Sequence, residues 1–232
     1  MNKANALIQL ERFDEALKCI DECILYHFIN QSVISLAYKC KGVLFRQMND
    51  YQQALSFFDK SISADPTNFE TIANKSAILT ELGRHEEAIK FSDQILSSSL
   101  TRLNIDETQV ILNNKGISLM ENNRIEEAIQ TFKKSIEMLP INANTREIIE
   151  ALVSQTNCLV KAKKYADALL CINRLIEIYP NDKIFWRLKG EQLKYLEKYE
   201  LALEAFSKAI SIDSKFREAL IDRADCLTLL KK

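Results

Sequence analysis

The sequence predicts an all-α solenoid of about six helical hairpins followed by one more helix, and three observations predict it. A short motif, FDEAL, YQQAL, HEEAI, IEEAI, YADAL and YELAL, recurs along the chain, with its alanines at Ala16, Ala54, Ala88, Ala128, Ala168 and Ala202. Glycine is rare, yet Gly42, Gly116 and Gly190 each stand twelve residues before one of these alanines, and Ala4 and Ser76 fill the same slot in two other copies. The chain's three prolines, Pro66, Pro140 and Pro180, each stand twelve residues after one of them. Glycine and proline punctuate structure, so their common phase marks the bends of a repeat.

Each element follows from that phase. The first hairpin (about 1–30) has room for only part of a first helix and should be the least stable. In the second (35–68), Gly42 and Ala54 lie on facing helices. Two small residues let the backbones approach, and Phe45, Tyr51 and Phe58 close the gap around them. The third (69–102) carries Ser76 and Ala88, with Gly83 in the turn between its helices, where positive φ is useful. Its His85 fills an aromatic slot that Phe13, Tyr51, Tyr165 and Tyr199 hold elsewhere, so it is a packing residue. Ser97 to Thr101 reads as a polar loop before a new helix near Asp106.

The fourth hairpin (107–142) repeats the pattern with Gly116, Ala128, Phe132 and Pro140. In the fifth (144–182), Asn144-Thr145-Arg146-Glu147 has the spacing of a capping box. Its first helix is therefore expected to start early and to run about one and a half turns longer than usual. The sixth (183–216) groups Trp186, Leu193, Tyr199 and Phe206 around Gly190 and Ala202. Residues 217–231 read as a capping helix with Leu220, Ala224 and Leu227 turned inward. A lone hairpin leaves one apolar side wet, so the hairpins must stack.

This pattern resembles the tetratricopeptide repeat family, in which W-x2-L-G-x2-Y, A-x3-F and P recur about every 34 residues. Tyr38, Gly42, Phe45, Ala54, Phe58 and Pro66 carry the resemblance in one copy, and Trp186, Gly190, Ala202, Phe206 and Ala209 in another. The alanines here are separated by 38, 34, 40, 40 and 34 residues, so three junctions hold extra chain. The resemblance implies a right-handed α–α superhelix forming one solenoid domain over residues 1–232. It also implies a protein-binding scaffold and not an enzyme.

Composition agrees with that class. Lysine and arginine number 31 against 32 acidic residues, so no net field exists to hold nucleic acid or an anionic membrane. No apolar run approaches the length of a membrane span or of a signal-peptide core, and a soluble, cytoplasmic protein is expected. The six cysteines fall inside helical patterns and are expected to be reduced thiols packed as small hydrophobes. No phosphate-binding glycine loop, nucleophile elbow or paired-histidine zinc motif is present, and no cofactor is expected. Cys19, Cys23 and His27 lie four apart on one helix, but burial explains Cys23 better than a metal does. Acidic pairs such as Glu86-Glu87 open second helices, where they favour the helix N-terminus.

The resemblance places the functional surface on the concave face, lined by the first helix of each hairpin. The candidate groove residues there are Lys39, Val43 and Arg46; Asn74, Ala77 and Thr80; and Val110, Asn113, Asn114 and Ile117. They continue with Glu150, Val153 and Asn157, then Arg187, Glu191 and Lys194. Asparagine amides donate and accept at once, which suits the backbone of an extended peptide. The family's clamp for chaperone C-terminal carboxylates needs a lysine and an asparagine from one first helix, an asparagine from the next, and a lysine and an arginine from the third. Lys39 and Asn74 fit, but Val43, Val110 and Asn114 fill the other slots, which disfavours a chaperone tail. The expected partner is a protein peptide or helix. The alternatives are a docking or regulatory arm of a larger enzyme or assembly, and self-association through the terminal hairpins.

Overall fold

The computed structural model describes residues 2–26, 30–98, 103–138 and 146–230. Those residues form thirteen α-helices: α1 (Asn2–Gln9), α2 (Phe13–Tyr26), α3 (Gln31–Gln47), α4 (Tyr51–Ala64), α5 (Phe69–Glu81), α6 (His85–Ser97) and α7 (Ile105–Glu121), followed by α8 (Ile125–Glu137), α9 (Arg146–Lys161), α10 (Tyr165–Ile178), α11 (Lys183–Tyr195), α12 (Tyr199–Ile212) and α13 (Arg217–Leu230). No strand occurs among the described residues. The chain divides into two compact units, residues 1–118 and 119–232.

The turn inside each hairpin shows why helix follows helix so closely. Its tip has a positive φ six times over, at Glu11, Asn49, Gly83, Asn123, Lys163 and Glu197, with values from 57° to 70°. At Asn49 the amide donates to the Arg46 carbonyl (3.0 Å), and the next amide, Asp50, reaches back to Phe45 (2.9 Å). These are the two bonds of a Schellman cap, which satisfies the last carbonyls of the first helix. Asp50 then caps α4 by accepting from the Gln53 amide at 3.1 Å, so one residue closes one helix and opens the next. Only Gly83 adopts this backbone without a Cβ penalty; the expected reason for that glycine holds.

Other helix starts use side chains. Asn30, Asn68 and Asp182 cap α3, α5 and α11. Asn104 accepts from the Glu107 amide (2.8 Å) while Glu107 accepts from the Asn104 amide (3.0 Å), a reciprocal capping box that opens α7 at Ile105, close to the expected start. The Asn144-Thr145 box, the Ser99–Thr101 loop, Pro140 and His27 lie outside the described residues. The fifth hairpin's first helix begins at Arg146, directly after residues outside the described ones, and is longer than the 13-residue α5 and α11. α9 has 16 residues, fewer than the 17 of α3 and of α7.

The packing inside the hairpins is the predicted one. Gly42 lies so close to Phe58 that an added Cβ would stand 2.4 Å from the ring, and the same contact at Gly190 would be 2.5 Å from Phe206. Both rings are wholly buried. Phe45 and Tyr51 pack on the cluster around Phe58, and Trp186 and Tyr199 on the one around Phe206. The Trp186 indole also donates to the Pro180 carbonyl at 2.8 Å, fixing the linker against α11. All six cysteines are free; Cys40, Cys158, Cys171 and Cys226 are buried. Burial pushes all four of these thiols up, Cys158 and Cys171 to about 11, so they are neutral packing groups at physiological pH.

α13 corrects one expectation. Ala219 and Cys226 are its wholly buried residues, whereas Leu220 is 43% exposed, Leu227 40%, and Ala224 is also exposed. The Leu220, Ala224 and Leu227 face corresponds to Trp186, Gly190 and Leu193 of α11, the face that in other hairpins meets their own second helix. α13 packs back on α12 through the other side.

Candidate partner-binding face

In the unit of residues 1–118, the first helices of successive hairpins line up side by side. The Lys39 ammonium on α3 meets the Glu70 carboxylate on α5 at 2.5 Å, and Arg46 meets Glu81 at 2.5 Å. Further along, the Thr80 hydroxyl on α5 lies 2.8 Å from that of Ser118 on α7. These contacts put the candidate residues of the three helices on one face.

The charged candidates on this face are engaged within the protein. Lys39 is 9% exposed, far too buried for an open groove lysine. Asn74 donates its amide to the Glu70 carbonyl at 2.7 Å, keeping its oxygen as an acceptor. Asn113 is buried and engaged. What stays open is neutral: Val43, Ala77, Val110, Asn114 and Ile117 are half-buried, and Asn114 has no hydrogen-bond partner among the described residues.

The second unit repeats the arrangement with different chemistry. On α9, Glu150 is exposed and pairs with Arg146 at 2.7 Å, while Val153 is half-buried and Asn157 exposed. On α11, Arg187 binds Glu191 on its own helix (2.6 Å) and Asp222 on α13 (2.7 Å); Lys194 lies 3.8 Å from Asp222. Burial pushes the Glu191 carboxyl up, against the opposing pull of Arg187. Arg187 therefore ties α13 to α11, while Glu191 pairs with it on the same helix. Sequence reasoning overlooked that a long charged side chain on a first helix can reach the neighbouring helix.

Two further features went unread. Ser35, Ser61, Thr71 and Asn68 form a buried hydroxyl and amide network where α3, α4 and α5 meet, with contacts of 2.9 to 3.0 Å. No motif advertises it. The second feature had a signal: a lysine immediately before the small-residue slot (Lys41, Lys75, Lys115) and an aspartate five residues after the motif alanine (Asp21, Asp59, Asp93). The structure joins them across hairpins, Lys41 with Asp21, Lys75 with Asp59 (2.5 Å) and Lys115 with Asp93 (2.6 Å). Lys75 also lies over the Phe91 ring, 4.5 Å from its centre. A cleft of about 830 Å³ runs beside this pair, with Tyr38, Lys60 and Arg84 in its wall. Its counterpart in the second unit, about 410 Å³, is walled by Ile129, Ile136, Leu159 and Leu170.

Family models described as tetratricopeptide repeat match residues 1–69, 45–99, 110–142 and 186–216. The chain belongs to the tetratricopeptide repeat family. It is 27% identical over 223 residues to a TPR repeat-containing protein of Methanocaldococcus jannaschii, covering 91% of this chain and 37% of that one. It is 25% identical over 193 residues to human DnaJ homolog subfamily C member 7, covering 82% and 38%. The chain thus spans under two fifths of the length of these curated relatives. Among solved structures, the C-terminal part of a TPR repeat-containing protein from Cytophaga hutchinsonii aligns with a TM-score of 0.75 at 16% identity, covering 100% of this chain and 89% of that one. YrrB, described as a TPR protein with an unusual peptide-binding site, aligns with a TM-score of 0.65 at 20% identity, covering 88% and 97%. These likenesses establish the repeat fold. No described helix is long and apolar enough to cross a membrane.

Proposed function

We propose that this protein is a scaffold that holds a segment of a protein partner along the face built by the first helices of its hairpins, with α3, α5 and α7 making the main contact. The observation that carries the reading is the lining left after the internal ion pairs are made. Small apolar side chains at Val43, Ala77, Val110 and Ile117 alternate with the amides of Asn74 and Asn114. Such a lining suits peptide main chain and small apolar side chains. A free carboxylate finds little there, because Lys39 already holds Glu70. That is a second reason, beyond the missing clamp residues, to set a chaperone tail aside, although relatives include the Hsp70-Hsp90 organizing protein 1 of Glycine max. The longer relatives support a variant of the same reading, in which this face is the docking arm of a larger protein or assembly. Six free thiols support a reducing, cytoplasmic setting.

The test begins with a pull-down that identifies a bound segment, followed by calorimetry on that segment. Asn74→Ala with Asn114→Ala should weaken binding about tenfold or more, two lost hydrogen bonds at about 1 kcal/mol each. Circular dichroism should show unchanged helicity. Equal affinity of the double variant would place the partner elsewhere.

A further inference from the structure

The groove between α8 and α10 departs from the repeat's own pattern at the residues that line it. One residue before the small-residue slot, five of the six hairpins carry lysine, at Lys3, Lys41, Lys75, Lys115 and Lys189; the fifth has Gln155. Two residues after the motif alanine stand Lys18, Ser56, Lys90, Gln130 and Glu204, all polar. The fifth hairpin has Leu170 there, and it is 69% exposed. Three residues after that alanine, Cys171 takes the place that Phe91 holds in the third hairpin. All three replacements line one groove of about 410 Å³.

The third hairpin shows what the groove lacks. Phe91 is buried there in one cluster with Leu55 of α4 and Leu79 of α5, and the Lys75 ammonium lies over its ring. Ile129 and Leu159 stand in the places of those two leucines, are 6% and 4% exposed, and line the groove. The socket is kept, while the ring is replaced by a thiol and the lysine above it by a neutral amide. The Cys171 thiol donates to Gln155 at 3.2 Å, so these two polar groups satisfy each other. At the rim Lys133 and Lys164 are matched by Glu137 and Asp167, so no net charge favours a charged occupant.

We propose that this groove docks an uncharged segment of a protein partner through a phenylalanine side chain, which enters the socket beside Cys171 while a flanking apolar side chain covers Leu170. A buried aromatic anchor with an apolar surround is a common energetic centre of protein contacts. A small molecule is disfavoured, because few fixed polar groups converge there to orient it. Nor is a continuation of the array the occupant. In a solenoid each hairpin touches only its neighbours, and the helices on both sides of this groove are already in place, so hairpins added at either end leave it open.

The probes are capped pentapeptides, Gly-Ala-X-Ala-Gly with phenylalanine, leucine or alanine at X, titrated to millimolar concentration against the whole chain. The readout is the methyl resonances of Ile129, Leu159 and Leu170. The phenylalanine peptide should bind about threefold more tightly than the leucine peptide and about tenfold more tightly than the alanine peptide. Cys171→Phe, which installs the ring found at Phe91, should abolish binding. Leu170→Gln, which returns a polar residue of the repeat to an exposed position, should weaken it about threefold. Asn74→Ala with Asn114→Ala should leave it unchanged, which separates this site from the first-helix face. Absence of shifts, binding that ignores X, or binding that survives both Cys171→Phe and Leu170→Gln overturns the proposal. In the full-length protein, Leu170→Cys should react readily with a maleimide; protection there shows that another part of the same protein covers the groove, and overturns it too. So do shifts that grow with protein concentration alone, which mark a second copy of the chain as the occupant.

Discussion

Between successive hairpins of residues 1–118, a lysine from each incoming first helix reaches an aspartate on the preceding second helix; in residues 119–232 the equivalent positions carry no opposite charges. There Gln155 faces the place of the lysine and Lys133 that of the aspartate. Gln155 accepts a hydrogen bond from the Cys171 thiol (3.2 Å) instead, and Lys133 turns along its own helix toward Glu137 at 3.8 Å. One hairpin on, Lys189 keeps the lysine position but the aspartate position holds Asn173, and Lys189 lies over the Trp186 ring, 5.3 Å from its centre. On the first helices of the second unit, Arg187 and Lys194 converge on Asp222.

The difference teaches that the apolar contacts, not the ion pairs, hold hairpin on hairpin. Pairs with one exposed partner contribute modestly because water competes for the charge. They can be replaced by a neutral hydrogen bond without changing the architecture. Lys41 and Lys75 add geometric selection: an ammonium held between a carboxylate and an aromatic face favours one lateral setting of the incoming helix.

Four sets of substitutions would break or sharpen that contrast. The largest effect should be common to both units, since the hairpin interior is the same in each. Gly42→Ala and Gly190→Ala should each cost about 2–3 kcal/mol in urea unfolding, the upper part of the range for overpacking, and Phe58→Ile should recover part of the loss in the Gly42→Ala background. Unequal costs would mean that the two units differ inside their hairpins as well as between them. A smaller effect should separate the units: Asp59→Ala should cost about 1 kcal/mol, while Lys133→Ala, which breaks no bridge between hairpins, should cost close to nothing.

Installing Lys133→Asp with Gln155→Lys should then build the missing bridge. A double-mutant cycle should give a coupling of about 0.5 kcal/mol that shrinks in high salt. An effect of similar size is expected at the turns, again in both units. Glu11→Gly, Lys163→Gly and Glu197→Gly should each stabilise by about 0.5 kcal/mol, because relief of the left-handed strain outweighs the added freedom of the unfolded chain. Gly83→Ala should lose about 1 kcal/mol for the converse reason, and thermal melts that show no such asymmetry would contradict the turn assignment.

Much of this molecule was legible in one dimension because a repeat states its packing rule several times. The phase of Gly42, Gly83, Gly116 and Gly190 with the motif alanines and the prolines placed the hairpins, their turns and their aromatic fillings. Such contacts lie within a few dozen residues and follow from helical periodicity and side-chain size. The same periodicity misled at α13. It marked Leu220, Ala224 and Leu227 as a packing face without saying whether a helix lies against it.

What only the tertiary structure decided is where the long polar side chains end. Lys39, Arg46, Arg187 and Glu191 sit where a groove residue should sit, yet each reaches several ångströms sideways to a neighbouring helix or along its own. The Ser35, Ser61, Thr71 and Asn68 network closes only when three helices meet. The sequence by itself determined the array of hairpins, because burial of apolar residues depends on pattern alone. The state of the charges on the first-helix face depends on distances between helices, and those exist only once the hairpins are stacked.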